Sequence, residues 1–100
     1  MEAKEIRNGK ELVIELSGRL DTAAANKFND RLSELLKDDI TSLVMDMANC
    51  DYVASSGLRA ILSSQMEMTK KGGNMVVKNV CEGIMEVFEM TGFASILTIE

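Results

Sequence analysis

Asp46-Met-Ala-Asn-Cys-Asp-Tyr-Val-Ala-Ser55-Ser56-Gly57-Leu58-Arg59-Ala-Ile61-Leu62 is the stretch whose reading decides the fold. Leu43 to Met47 are apolar apart from Asp46, the pattern of a strand buried on both faces. From Leu58 the apolar positions are Leu58, Ile61, Leu62 and Met66, a helical stripe. A polar turn is expected between the two, with Ser55 and Ser56 where strand gives way to helix. A serine at an N-cap accepts a hydrogen bond from a free N–H of the first turn, and Gly57 leaves that backbone uncrowded. The same hydroxyl stands at the positive end of a helix dipole, where a phosphate is accommodated. Capping serine and phosphate-bearing serine both follow from this position.

Working outward, residues 3–7 lead to Asn8-Gly9, the strongest two-residue hairpin signal. Leu12, Ile14 and Leu16 then alternate with Val13, Glu15 and Ser17, which predicts a second strand antiparallel to the first. Gly18-Arg19-Leu20 breaks the alternation, and Asp21 or Thr22 caps a helix with the stripe Ala24, Phe28, Leu32, Leu35 and Leu36. A strand over 42–47 precedes the central turn, and the helix from Ser56 to about Lys71 ends at Gly72-Gly73. Residues 74–80 form another strand, 82–90 a short helix stopped at Gly92, and Ile96–Ile99 a last strand. The order β-β-α-β-α-β-α-β predicts a single α/β domain over 1–100. Its mixed, mostly parallel sheet has about five strands, with three helices on right-handed crossovers. Sites in such sheets gather at the carboxyl ends of the parallel strands, which places Asp21, Asp46 and Ser55–Gly57 near one rim.

One hundred residues bury one core. Hydrophobic residues at 46% and charged ones at 27% indicate a globular chain rather than a disordered one. The net charge of −5 and scattered basic residues argue against a nucleic-acid partner and for one that presents basic residues. No apolar run approaches a membrane span, and the opening Met-Glu-Ala-Lys-Glu is too charged for a signal peptide, so a cytoplasmic location is expected. Cys50 and Cys81 stand far apart without a CxxC and there is no histidine, so no disulfide, metal site or cofactor is expected.

Without histidine, Ser-His-Asp and Cys-His catalysis are impossible. Asp46 and Asp51 are a candidate carboxylate pair, but no activated nucleophile accompanies them. There is no GxxxxGK[ST] and no GxGxxG, which leaves nucleotide binding on the rim unsupported. The methionines, Met66, Met68, Met85 and Met90 among them, read mostly as core filler at helical spacing. A binding module, not an enzyme, is the class this leaves.

Gly18-Arg19-Leu20-Asp21 after an alternating strand, Leu43-Val-Met-Asp46-Met, Val53-Ala-Ser55-Ser56-Gly57-Leu58 opening a helix, and Gly72-Gly73 before the next strand together resemble the STAS family. Within it the chain is most similar to the bacterial anti-sigma factor antagonists, over essentially its whole length. The resemblance implies binding to an anti-sigma factor that is also a serine kinase, release of a sigma factor, phosphorylation of the helix-opening serine, and reversal by a serine phosphatase. In the family motif, Asp-Ser-Ser/Thr-Gly-Leu, the acceptor is the first hydroxyl residue, here Ser55, with Ser56 the alternative. The implied partner-binding rim comprises Asp21, Thr22, Asp46, Ala54, Ser55, Ser56, Gly57 and Arg59. Ala54 stands where the family has Asp. The family commonly carries a further C-terminal helix. This sequence ends at Glu100, so part of the sheet face or a strand edge is expected to be less covered.

A phosphoryl group on Ser55 adds about −1.5 to −2 charge at neutral pH. A helix N-terminus receives that charge at little cost to the fold, whereas an acidic interface does not, so phosphorylation is expected to block docking without refolding the domain. The competing expectation is a constitutive STAS subunit of a transporter ATPase or signalling complex, which Ala54 favours. Either way a monomer or weak dimer without nucleic acid or membrane insertion is expected.

Overall fold

A computed structural model describes residues 1–100. Strands β1 (Glu2–Asn8), β2 (Glu11–Leu20), β3 (Ser42–Val53) and β4 (Asn74–Lys78) form one sheet in the order β1-β2-β3-β4. β1 runs antiparallel to β2, and β2, β3 and β4 are mutually parallel. The parallel strands are joined through α1 (Thr22–Leu35) and α2 (Ser55–Lys70). After β4 come α3 (Glu82–Thr91) and a single 3-10 turn, Phe93–Ser95. The α/β class, the mixed sheet and the three helices agree with the sequence. The hairpin does too, although its two-residue loop is Gly9-Lys10, because Asn8 still pairs with Glu11.

The strands bury alternate residues: Leu12, Ile14 and Leu16 on β2, Leu43, Met45 and Met47 on β3, Met75 and Val77 on β4. The residues between them, Val13, Glu15, Val44, Asp46 and Val76, are only half-buried. The helices therefore cover one face, and β3 is not the doubly covered strand that its apolar run suggests. Phe28 and Leu32 of α1, Ile61 and Met68 of α2, and Ile84 and Phe88 of α3 complete the core. Met68 is fully enclosed, but Met66 and Met90 are 62% and 85% exposed, so those two are surface residues rather than filler.

Two elements differ from expectation. The last strand reduces to one bridge between Val77 and Ile99. Gly92, at φ 81°, ends α3, and the Ile96 and Leu97 N–H groups both donate to the Phe93 carbonyl. This helical turn buries Leu97 and leaves only residues 98–100 to reach Val77, so the sheet has four strands plus a bridge. The polar turn expected after Met47 is also absent, because β3 continues to Val53. Its register against β2 slips twice, from Glu15↔Asp46 to Ser17↔Asn49 and from Gly18↔Cys50 to Arg19↔Tyr52. Each slip places an extra residue on β3, a bulge that bends the strand and increases its twist.

Candidate functional site

β1 reaches only as far as Ser17 along β2, and β4 only as far as Asp46 along β3. Beyond those points β2 and β3 run on as a two-stranded ribbon, ending at the pair Leu20↔Val53. The Ala54 N–H donates to the Leu20 carbonyl at 2.8 Å, so α1 and α2 both begin at the ribbon's tip. Gly57 sits against that tip. A Cβ there would lie 2.9 Å from Leu20 Cγ and Cδ2 and from Val53 Cγ1. The glycine thus serves close approach of α2 to the ribbon, more than an open phosphate cradle.

The cap of α2 is Ala54 (φ −74°, ψ 166°), which offers no side-chain hydrogen bond. Neither serine is the cap: because β3 pairs to its last residue, the helix starts one position earlier than expected, at Ser55. The first intrahelical bond runs from the Leu58 N–H to the Ala54 carbonyl at 3.0 Å. The N–H groups of Ser55, Ser56 and Gly57 are then the orphan donors of the first turn. The two serines differ in access. Ser55 is exposed, whereas Ser56 is half-buried with an enclosed Oγ that has no hydrogen-bond partner.

Asp21 caps α1, its Oδ1 accepting from the Ala24 N–H at 2.9 Å, and Thr22 is the first residue of that helix. Since Asp21 follows Leu20 and Ala54 follows Val53, the two helix starts lie side by side on one rim. Arg59 is exposed on α2, four residues after Ser55 and hence on the same helical face.

Asp46 does not belong to this rim. It pairs with Glu15 and Lys78 in the middle of β3, and at about 3.3 Å per residue the strand from Asp46 to Val53 spans roughly 20 Å. Its Oδ1 accepts from the Ala48 N–H at 3.0 Å and the Asn79 Nδ2 at 3.1 Å. The carboxylate therefore holds the first bulge and ties it to the left-handed residue after β4 (Asn79, φ 57°). It lines a small cavity of about 160 Å³ with Glu2, Lys4 and Glu15. Asp51 is exposed further along the strand, so Asp46 and Asp51 do not form a working carboxylate pair.

Arg19 pairs with Tyr52 across the strands, and its guanidinium lies 4.2 Å from the centre of the tyrosine ring. The lone tyrosine of an aromatic-poor chain is the sequence signal for it, but the pairing depends on the second register slip. Within the ribbon, burial pushes the Cys50 thiol above its usual range, against hydrogen bonds to the Tyr52 and Leu20 backbone. No group of three or more His, Cys, Asp or Glu is arranged to hold a metal, and no helix is long and apolar enough to cross a membrane.

The STAS-domain family model matches residues 1–100. An anti-sigma F factor antagonist of Paenibacillus polymyxa is 28% identical over 89 residues, covering 88% of this chain and 76% of that protein. The anti-sigma-B factor antagonist of Bacillus subtilis strain 168 is 23% identical over 93 residues, covering 93% and 84%. Among solved structures, the Bacillus cell-fate determinant SpoIIAA matches in its unphosphorylated and phosphorylated forms. The TM-score is 0.81 and the identity 19% for both, covering 99% of this chain and 87% and 91% of those chains.

Proposed function

The chain belongs to the STAS-domain family, and from that premise we propose that it is an anti-sigma factor antagonist switched at Ser55. It acts in the cytoplasm as a binding module without catalytic activity. Its partner is an anti-sigma factor with serine kinase activity, and docking frees a sigma factor. The kinase phosphorylates Ser55, and a serine phosphatase restores the binding form. The relatives named as antagonists supply the role.

The observation that carries the switch is the contrast between two adjacent hydroxyls: Ser55 exposed on the rim, Ser56 Oγ enclosed. A kinase reaches the first and not the second. The phosphoryl group lands on the orphan N–H groups at the start of α2, where the helix dipole tolerates its charge. Toward a partner, the same group is a hydrated dianion beside Asp21 that docking must desolvate or oppose. A penalty of roughly 3 kcal/mol weakens binding about a hundredfold. The domain itself keeps its fold in both states.

Affinity of the kinase for wild type, Ser55→Ala and Ser55→Asp, with mass analysis of the phosphorylated chain, tests this. Ser55→Ala should bind like wild type and take no phosphate, and Ser55→Asp should bind more weakly. Equal affinity for all three, or phosphate on Ser56, would overturn the switch. The uncapped Ala54 favours one other reading, a constitutive STAS subunit of a transporter ATPase or signalling complex. Capture of the chain in an assembly unchanged by phosphatase treatment would select it.

A further inference from the structure

We propose that Arg19, stacked on Tyr52, is a preformed anchor on the same rim that accepts a carboxylate from the kinase; this rests on the proposed function and extends it to a residue that the implied partner-binding set does not include. Leu20 and Val53 turn toward α2, so their neighbours Arg19 and Tyr52 project from the opposite side of the ribbon, and both are exposed. Tyr52 is three residues from Ser55, at most about 10 Å of chain, so a protein covering Ser55 and lapping over the ribbon tip meets the stack.

Three properties make the pair an anchor. Arg7 is spent on Asp38 and Asp39 and Arg31 on Glu5 and Glu34, whereas Arg19, like Arg59 on α2, makes no ion pair and keeps its N–H fork free; of those two only Arg19 lies over an aromatic ring. Contact with the ring fixes the guanidinium before binding, which lowers the ordering cost that a flexible arginine carries into an interface. Arginine and tyrosine are also the residue types in which binding energy concentrates. The chemistry of the occupant follows from the planar fork, which matches a carboxylate through two parallel hydrogen bonds. On a chain of net charge −5 the partner's surface is otherwise expected to be basic. One acidic group opposite Arg19 then fixes the register of docking.

The probe is the anti-sigma kinase that binds wild type. Arg19→Ala, Arg19→Lys, Tyr52→Ala and Tyr52→Phe are measured against it, with Lys70→Ala at the far end of α2 as control and circular dichroism to confirm folding. Arg19→Ala and Arg19→Lys should each weaken binding about tenfold or more. Tyr52→Ala should weaken it less and Tyr52→Phe, which keeps the ring, less still, while Lys70→Ala should leave it unchanged. A double-mutant cycle between Arg19→Ala and alanine substitutions of the kinase's acidic surface residues should show coupling to one carboxylate. Folded Arg19 variants that bind like wild type, or a cycle with no coupled carboxylate, would overturn the anchor while Ser55→Asp still weakens binding. A wild-type chain that no such kinase binds would overturn both readings together.

Discussion

Gly57 lies so close to Leu20 that a methyl group on its Cα would stand 2.9 Å from the leucine's Cγ and Cδ2. Leu20 is fully buried, and Val53 Cγ1 closes the other side at 2.9 Å, so a methyl group there forces at least one of these packed side chains to shift. The contact joins the end of the ribbon to the first turn of α2 and so sets the position of Ser55. Gly57→Ala gains about 1 kcal/mol of helix propensity and meets an overpacking cost of roughly 1–3 kcal/mol. The expected outcome is a net loss of stability in denaturant titration, together with slower phosphorylation of Ser55 by the kinase. A variant as stable as wild type would show that the helix start shifts freely.

Asp46→Ala separates a structural aspartate from a docking one. The substitution leaves the Ala48 N–H and the Asn79 amide without their shared acceptor, a loss of about 1 kcal/mol because both bonds are exposed and water replaces the carboxylate. Because Asp46 is remote from Ser55 along β3, the affinity of the folded variant for the kinase should equal that of wild type. Reduced affinity at undiminished stability would return Asp46 to the interface.

That aspartate also marks what the sequence makes legible and what it does not. Periodicity carries the element order, because Leu12, Ile14 and Leu16 or Phe28 and Leu32 are buried by local geometry alone. The Ser-Ser-Gly turn is equally local, and the position of Ser55 follows from it. The path of β3 beyond Met47 is different. It depends on two bulges whose register is set by β2, a strand distant in sequence, and by the side chain of Asp46. Without that register the rule that sites gather at strand ends assigns Asp46 to the rim and leaves out Arg19 and Tyr52. The tail follows the same logic: Ile96–Ile99 is β-prone, but a turn closed on the Phe93 carbonyl takes most of it.

The edge strand is held to α1 by a pair with a definite pH signature. Arg31 donates to both oxygens of Glu5 at 2.7 Å, and these hydrogen bonds hold the Glu5 carboxyl below its usual range. The folded-state value lies below the unfolded one of about 4.3, so the stabilisation is complete above that pH and is lost as the pH falls through the folded value. Wild type should melt above Glu5→Gln at neutral pH, by a small margin because the pair is solvent-exposed. The gap should close in acid, below about pH 4. A gap that persists or widens there would reverse the assignment.

The two thiols should report the fold independently of any partner. Cys50 is buried with its thiol pushed up by desolvation, and Cys81 is exposed at the start of α3. Alkylation of the native chain at neutral pH should modify Cys81 quickly and Cys50 only on the timescale of unfolding. Equal rates at the two sites would mean that the ribbon holding Cys50 opens readily.

Ala54→Asp restores the residue found in the family motif, and its effect follows from the bare cap of α2. The backbone at Ala54 is already extended as a cap requires, yet no side chain accepts the orphan N–H groups. An aspartate there takes one of them and adds negative charge at the positive end of the dipole, a gain of about 1 kcal/mol in the unmodified protein. A phosphoryl group on Ser55 draws on the same donors. In wild type, phosphorylation should therefore raise the melting temperature by supplying the missing anion. In Ala54→Asp the unmodified form should melt higher and the phosphorylated form should gain less, or lose, because two anions then share one helix end. Calorimetry of both proteins in both states measures this directly. An equal shift on phosphorylation in the two backgrounds would show that the phosphoryl group is not received by the start of α2.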